Sequence, residues 1–217
     1  MLNLVVKDLL IQKKYVLFAF VYMFILIFAF QNMKAFFFTS AAIGFVYILL
    51  TTSCAYDEKN KADTMINSLP VKRCHVVTAK YVSVYVFLAM ATLGYLLFSV
   101  LLGVIDFPVE IYPLTVDSFI AGFVAVSIMT GLFLPVYFKF GFTKSRIVNF
   151  VLFFGFFFAV PLIMESIQEL GVDILNGSMT SLLNSQYAGK VLGGLGLIIF
   201  MFLSHRLSLV FYRNREF

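Results

Sequence analysis

Histidines, cysteines and paired carboxylates are the residues with the most chemistry to offer here, and they are few and widely spaced. The sequence has two histidines, His75 and His205, and neither has an acidic neighbour. A serine protease would need a serine beside a histidine or lysine, and a metalloprotease would need a histidine pair. We therefore predict that both histidines are polar residues of an interface and that the chain has no catalytic residue.

The cysteines and a helically spaced pair of glutamates also fail to indicate a reactive centre. Cys54 and Cys74 do not combine with the histidines into any spacing typical of a zinc site, so we predict no metal. Both cysteines are expected in the cytoplasm, where thiols stay reduced and a structural disulfide is disfavoured. Glu165 and Glu169 are four residues apart on one helical face, and a solvated acidic loop is their default interpretation.

A glycine cluster near the C-terminus is the nearest approach to a cofactor motif. No glycine-rich loop ends in Gly-Lys-Ser or Gly-Lys-Thr, so the chain lacks the usual phosphate-binding signature and we predict no cofactor bound to it. The cluster lies in apolar sequence, where small residues allow close approach of helices. We predict a helix-packing role for Gly189, Gly193, Gly194 and Gly196.

Six apolar segments must position all of these side chains. Hydrophobic residues make up 62% of the chain and charged residues only 12%, whereas a soluble domain carries about twice that charge. Each segment is apolar all round and long enough to cross about 30 Å of hydrocarbon as a helix. The predicted fold is an all-α integral membrane protein with six transmembrane helices, at Tyr15–Gln31, Ala35–Ala55, Lys80–Ile105, Asp117–Phe138, Ile147–Met164 and Ala188–Leu209.

The distribution of cations predicts the orientation of these helices. With the N-terminus in the cytoplasm, every Lys and Arg except Lys34 and Lys190 falls on the cytoplasmic side. This bias in short loops is the recognised determinant of topology. We predict one multi-pass domain over residues 1–217 in the plasma membrane, with both termini cytoplasmic. No nucleic-acid partner is expected, because the cations lie where membrane orientation requires them.

The N-terminal segment Met1–Lys14 precedes the first span and shows helical periodicity. We predict an interfacial helix in the cytoplasmic headgroup layer, and a frayed basic leader is the alternative. Its expected apolar face comprises Leu2, Val5, Val6, Leu9 and Leu10, and its polar face comprises Asn3, Lys7, Asp8 and Lys14.

The segment 57–79 is the longest cytoplasmic connection. Asp57 and Glu58 suit the start of a helix, where the dipole is positive, and Pro70 disfavours continuation beyond Leu69. The sequence therefore predicts an amphipathic helix Asp57–Leu69. Lipid, another part of this chain, or a groove on a soluble partner could cover its apolar stripe. The stripe follows i, i+3, i+4, i+7 spacing at Ala62, Met65, Ile66 and Leu69.

Two further features bear on transport. The outer segment 165–187 is predicted to be helical or re-entrant, which requires packing on other helices or contact with water. The spans carry no charge well inside them, which disfavours a proton-coupled carrier. A sodium site built from carbonyls and hydroxyls stays open.

With these features the chain resembles the transmembrane subunit of ABC type-2 exporters, in particular small bacterial permeases. The resemblance covers the architecture of the whole chain, and it is closest in the segment from Tyr56 to Tyr81. It implies two permease copies or paralogues around a central path, and a separate cytoplasmic ATPase that holds ATP and Mg. The alternative is a non-transporting membrane scaffold or sensor subunit.

The resemblance also assigns a role to the cytoplasmic segment. Asp57–Leu69 would be the coupling helix that docks the ATPase, followed by Lys72 and Arg73. The implied mechanism is alternating access, with peptide or antibiotic efflux as the expected class of activity. The resemblance thus adds Asp57, Glu58, Lys72 and Arg73 to the stripe residues as expected coupling residues.

Overall fold

Helices account for every regular element in the part of the chain that the structure describes. The computed structural model describes residues 2–29, 37–68, 70–104, 112–169 and 186–215. The all-helical prediction is confirmed for these residues. The helices are α1 Leu2–Ile11, α2 Lys13–Ala29, α3 Phe37–Lys59, α4 Ala62–Asn67, α5 Arg73–Val104, α6 Val116–Phe140, α7 Phe142–Glu169 and α8 Gln186–Arg213.

Four of these helices contain stretches that are long and apolar enough to cross a membrane: α3, α5, α6 and α8. A fifth candidate is the pair α1 and α2, which is bent by 66° between Ile11 and Lys13. Helix α7 covers the predicted fifth span with 28 residues of helix. The protein is therefore an apolar, multi-helix membrane protein, and the count of six spans stays a prediction.

The N-terminal segment forms a helix, but its orientation differs from the predicted one. Val6 and Leu10 are exposed, whereas Asp8 is only 3% exposed and faces the bundle. The assignment of Asp8 to an outward polar face was wrong, because Ser83 and Lys80 of α5 bind its carboxylate inside the protein. The sharp bend follows at Gln12, whose buried side-chain amide donates to the Leu49 carbonyl at 2.6 Å.

Helix α3 lies at the centre of the bundle and packs against α2, α5, α6 and α7. Small side chains on it, such as Ala41 and Ala42, are fully buried. Close packing also occurs where α6 meets α8. A Cβ added at Gly131 of α6 would lie 2.5 Å from the Phe200 ring of α8. Among the described residues, Gly131 thus allows α6 and α8 to pack closely against each other.

The predicted glycine cluster has different surroundings. A Cβ added at Gly193, Gly194 or Gly196 would meet no atom within 4 Å. The side-chain surroundings of Gly189 lie outside the described residues. The packing role of this cluster therefore has no partner in the described part of the chain and stays a prediction.

We predict that Gly131→Leu lowers the stability of the protein, because the added side chain must displace the Phe200 ring. Overpacking of this kind costs about 1–3 kcal/mol. The matched control is Gly155→Leu in α7, where a Cβ would meet no atom within 4 Å. Thermal unfolding of both purified variants in detergent measures the difference. Equal melting temperatures for the two variants would contradict the packing assignment.

Candidate functional site

The predicted cytoplasmic helix is divided by the structure into two elements. Helix α3 continues through Asp57 and Glu58 to Lys59, and the chain turns before α4 begins at Ala62. The predicted helix start at Asp57 was therefore wrong, since these two carboxylates lie in the last turn of α3. The turn passes through Lys61, which has a left-handed φ of 49°. That backbone conformation is costly for a residue with a side chain.

Asp57 is held inside the protein by two lysines. Its carboxylate accepts from Lys7 Nζ of α1 and from Lys80 Nζ of α5, each at 2.6 Å. Asp57 is 6% exposed and Lys80 is 5% exposed. The negative end of the α3 dipole disfavours a carboxylate at this position, and the two ammonium groups offset that cost.

Asp8 completes this buried ion network of Lys7, Asp8, Asp57 and Lys80. Lys80 Nζ lies 3.4 Å from an Asp8 carboxylate oxygen and also donates to Ser53 Oγ at 2.6 Å. The network has two positive and two negative side chains, so its formal charge is balanced. It joins α1, the end of α3 and α5 at a single point. Removing one member of a buried pair is costly because the remaining charge loses its partner.

Glu58 connects the same end of α3 to the start of α7. Its carboxylate accepts from the backbone N–H groups of Phe142 and Thr143 and from the Thr143 hydroxyl. The first N–H groups of a helix have no partner within the helix, and they carry the positive end of its dipole. Glu58 therefore caps α7 from outside and holds it against α3.

Asp63 within α4 and Arg73 after it bind the C-terminal end of α8. The Tyr212 hydroxyl donates to Asp63 Oδ1 at 3.2 Å, and Arg215 lies 3.8 Å from Asp63 Oδ2. Arg73, at the start of α5, donates to the carbonyl of Arg213 at 2.6 Å. Carbonyls in the last turn of a helix lack partners within the helix, so this contact caps α8. The segment that contains α4 is thereby held to α8 at both ends.

Helix α4 has an inward and an outward face. Ile66 is 9% exposed and Asp63 is largely buried, whereas Met65 is 69% exposed. The contacts of Asp63 with α8 turn this side of α4 toward the bundle. The predicted apolar stripe is therefore divided, with Ile66 inward, Met65 outward and Ala62 half-buried. Leu69 lies outside the described residues.

The expected coupling residues thus fall into two groups. Asp57, Glu58, Ile66 and Arg73 face the bundle and hold the segment in place, while Met65 and Lys72 are exposed. Sequence reasoning did not identify the inward partners Lys7, Asp8, Asp63 and Lys80. Asp8 is an isolated aspartate in an otherwise apolar and basic segment, and this was the sequence signal that could have indicated an inward partner. No local signal pairs it with Lys80, which lies 72 residues away.

The remaining candidate side chains have ordinary surroundings. His205 Nε2 lies 3.0 Å from Thr78 Oγ1, and His75 is exposed. Cys54 and Cys74 are both free thiols. Within the described residues, no group of three His, Cys, Asp or Glu side chains is arranged to hold a metal ion. The side chains of Glu165 and Glu169, and residues 170–185 of the outer segment, lie outside what the structure describes.

A profile of the ABC-2 family transporter proteins matches residues 3–213. The match runs from α1 to the end of α8. The chain belongs to this family. No curated protein and no solved structure shows a significant match to the chain.

Membership confirms the resemblance that the sequence suggested. As an ABC-2 family protein the chain is a multi-pass membrane protein and a transport permease. The buried ion network and the contacts of α4 are therefore features of a transport protein.

We predict that Lys80→Met destabilises this permease strongly, because it leaves the Asp8 and Asp57 carboxylates buried with less compensation. The expected loss is about 3 kcal/mol or more. Lys7→Met is the matched control, since the Lys7 side chain is 30% exposed and Lys80 would still pair with both carboxylates, so the expected loss is smaller. Thermal unfolding in detergent compares the two variants. A similar small loss in both would show that the network does not support the fold.

We also predict a pH-dependent effect of Asp63→Asn. Burial raises the pKa of Asp63 above its ordinary value, and the Arg215 guanidinium opposes this rise. The folded protein therefore binds the Asp63 proton more tightly than the unfolded chain does. The proton on Asp63 stabilises the folded protein fully at pH values below the pKa that Asp63 has in the unfolded chain. This stabilisation is lost as the pH rises through the pKa that Asp63 has in the folded protein.

The asparagine keeps an acceptor for Tyr212 without a charge. The variant should therefore melt at a higher temperature than the parent at about pH 7, and the difference should vanish toward about pH 3, where Asp63 is protonated in both states. Melting curves over this pH range test the sign. A variant that melts lower than the parent at neutral pH would show that attraction to Arg215 outweighs the cost of burial.

Proposed function

We propose that this permease is the membrane-spanning subunit of an ATP-driven ABC exporter and that α4 docks a separate cytoplasmic ATPase. The proposal rests on the difference in exposure between the two faces of α4. Met65 is exposed on one face, and the opposite face and the flanking residues bind four other helices. An exposed apolar side chain on a short, firmly held helix suits insertion into a groove of a partner.

The energy source must come from that partner. Uphill transport needs free energy, and the sequence has no nucleotide-binding loop of its own. ATP and Mg would therefore be held by the ATPase. A bound ATPase can shift the bundle between two states only through contacts that differ between those states.

The contacts around α4 offer a mechanical route for such a shift. Asp57 joins the segment to α1 and α5, Glu58 joins it to α7, and Asp63 joins it to α8. Packed helices move as rigid bodies more readily than they deform. A displacement of α4 would therefore be passed to several helices together, which alternating access requires.

The rest of the proposal follows from the family and the charge distribution. Two permease copies or paralogues would pair around a central path in the plasma membrane. Each would cross the membrane six times, with both termini in the cytoplasm, and peptide or antibiotic efflux is the proposed activity.

The test is Met65→Asp with Met65→Leu as the matched control. Met65 is largely exposed, so neither change should affect folding or membrane insertion. The aspartate would place a charge in the apolar groove of the partner and weaken binding by about thirtyfold, the loss typical of a central interface residue. The leucine variant should bind normally.

Binding is measured with the ATPase that co-purifies with the tagged parent permease, and ATP hydrolysis is followed in the reconstituted complex. Loss of binding and of stimulated hydrolysis in the aspartate variant alone supports the proposal. Unchanged binding in both variants would overturn it. Binding of the parent without stimulated hydrolysis would instead indicate a scaffold or sensor subunit.

A further inference from the structure

Charges in the segment that carries α4 are segregated by the fold. In sequence, acids and lysines are intermixed from Asp57 to Asp63. In the structure, Asp57, Glu58 and Asp63 turn toward the bundle and bind partners within the chain. The fold thus directs the three carboxylates of this segment toward other helices of the chain.

The lysines of the same segment lie on the outside. Lys59, Lys61 and Lys72 are exposed, and none of them forms an ion pair with any described residue. They differ in this respect from Lys7 and Lys80, which belong to the buried ion network. Three positive charges with no ion-pair partner among the described residues therefore lie before and after α4 in the chain.

One of these lysines lies close to the exposed methionine. The backbone N–H of Met65 donates to the carbonyl of Lys61, the residue just before α4, so the two exposed residues are one turn apart along the chain. Thr64 and Ser68 are also exposed, and both are uncharged. The described exposed residues from Lys61 to Ser68 thus include one cation and one large apolar side chain, and none of them is an acid.

We propose that the ATPase cleft that receives α4 is acidic, with carboxylates around an apolar floor that contacts Met65. This inference rests on the proposed function of α4 as the docking helix. A neutral or basic cleft would leave the three ammonium groups without partners as water is excluded, which is unfavourable. Carboxylates at the rim of the cleft would compensate them and would attract the permease over a distance of about one Debye length.

The cations have a second class of partner, the anionic headgroups of the membrane. Basic residues close to a bilayer surface attract such lipids. The ATPase is favoured here because Lys61 and Met65 are both exposed and lie one turn apart along the chain, so one partner that covers Met65 also lies close to Lys61. A bilayer made only of zwitterionic lipid removes the headgroup interaction and separates the two cases.

The experiment measures association and dissociation rates of the ATPase with the full-length permease in zwitterionic nanodiscs. We compare Lys61→Glu and Lys72→Glu, singly and combined, with the charge-preserving controls Lys61→Arg and Lys72→Arg. We expect the combined glutamate variant to associate about tenfold more slowly, with a smaller change in dissociation, as is typical of charges at an interface rim. The arginine variants should behave as the parent does.

A gain-of-charge variant makes the test independent of any loss of folding. Thr64→Lys adds a cation to the exposed face, and the ATPase should associate with it faster than with the parent. The parent rate should itself fall about tenfold between about 0.05 M and 0.5 M NaCl. Slower association of Thr64→Lys, or rates unaffected by the glutamates and by salt, would overturn the acidic cleft.

The outcomes separate this inference from the function on which it rests. If Met65→Asp abolishes binding while the glutamate variants bind normally, α4 is the docking helix and its partner cleft is not acidic. If the glutamates slow association only in nanodiscs with anionic lipid, the cations serve the membrane and the inference is wrong. If neither Met65→Asp nor the lysine variants affect binding, the proposed function itself fails.

Discussion

The ammonium group of Lys80 lies between two buried carboxylates, and the arrangement of the end of the bundle where α1, α3 and α5 meet depends on that contact. Asp8 reaches it from α1 and Asp57 reaches it from α3. Burial of any one of these charges alone would be prohibitive. Each charge is therefore tolerated only while the three helices stay together, which makes the network a strong constraint on their relative positions.

The constraint explains how a six-residue helix can have a defined position. Helix α4 is too short to be stable alone, and its position depends on residues at its two ends. Asp57 and Glu58 precede it with contacts to α1, α5 and α7, while Asp63 and Arg73 bind α8. These inward contacts use the carboxylates of the segment, and the lysines are left facing outward. The same set of bonds thus determines both the position of α4 and the charge of its surface.

Much of the fold was predictable because long apolar runs that must avoid water form helices. Each of the six predicted segments coincides largely with a helix. The cytoplasmic helix predicted to extend to Leu69 is present as α4, which ends at Asn67. The orientation of α1 and the end of α3 were not predictable. Asp8 lies on the inward side of α1 because of Lys80, and α3 continues past Asp57 because lysines from two other helices neutralise that carboxylate. Such partners are distant in sequence, and no local pattern identifies them.

We propose that α4 and the helices bound to it form one connected unit on which a partner ATPase acts. Hydrogen–deuterium exchange of the permease, alone and with that proposed partner, measures this directly. The account predicts that ATPase binding slows exchange at residues 61–68 and also changes exchange at the start of α7 and in α1. Slower exchange at α4 without any change in α1 or α7 would contradict the connection, and no change at α4 would contradict the docking site.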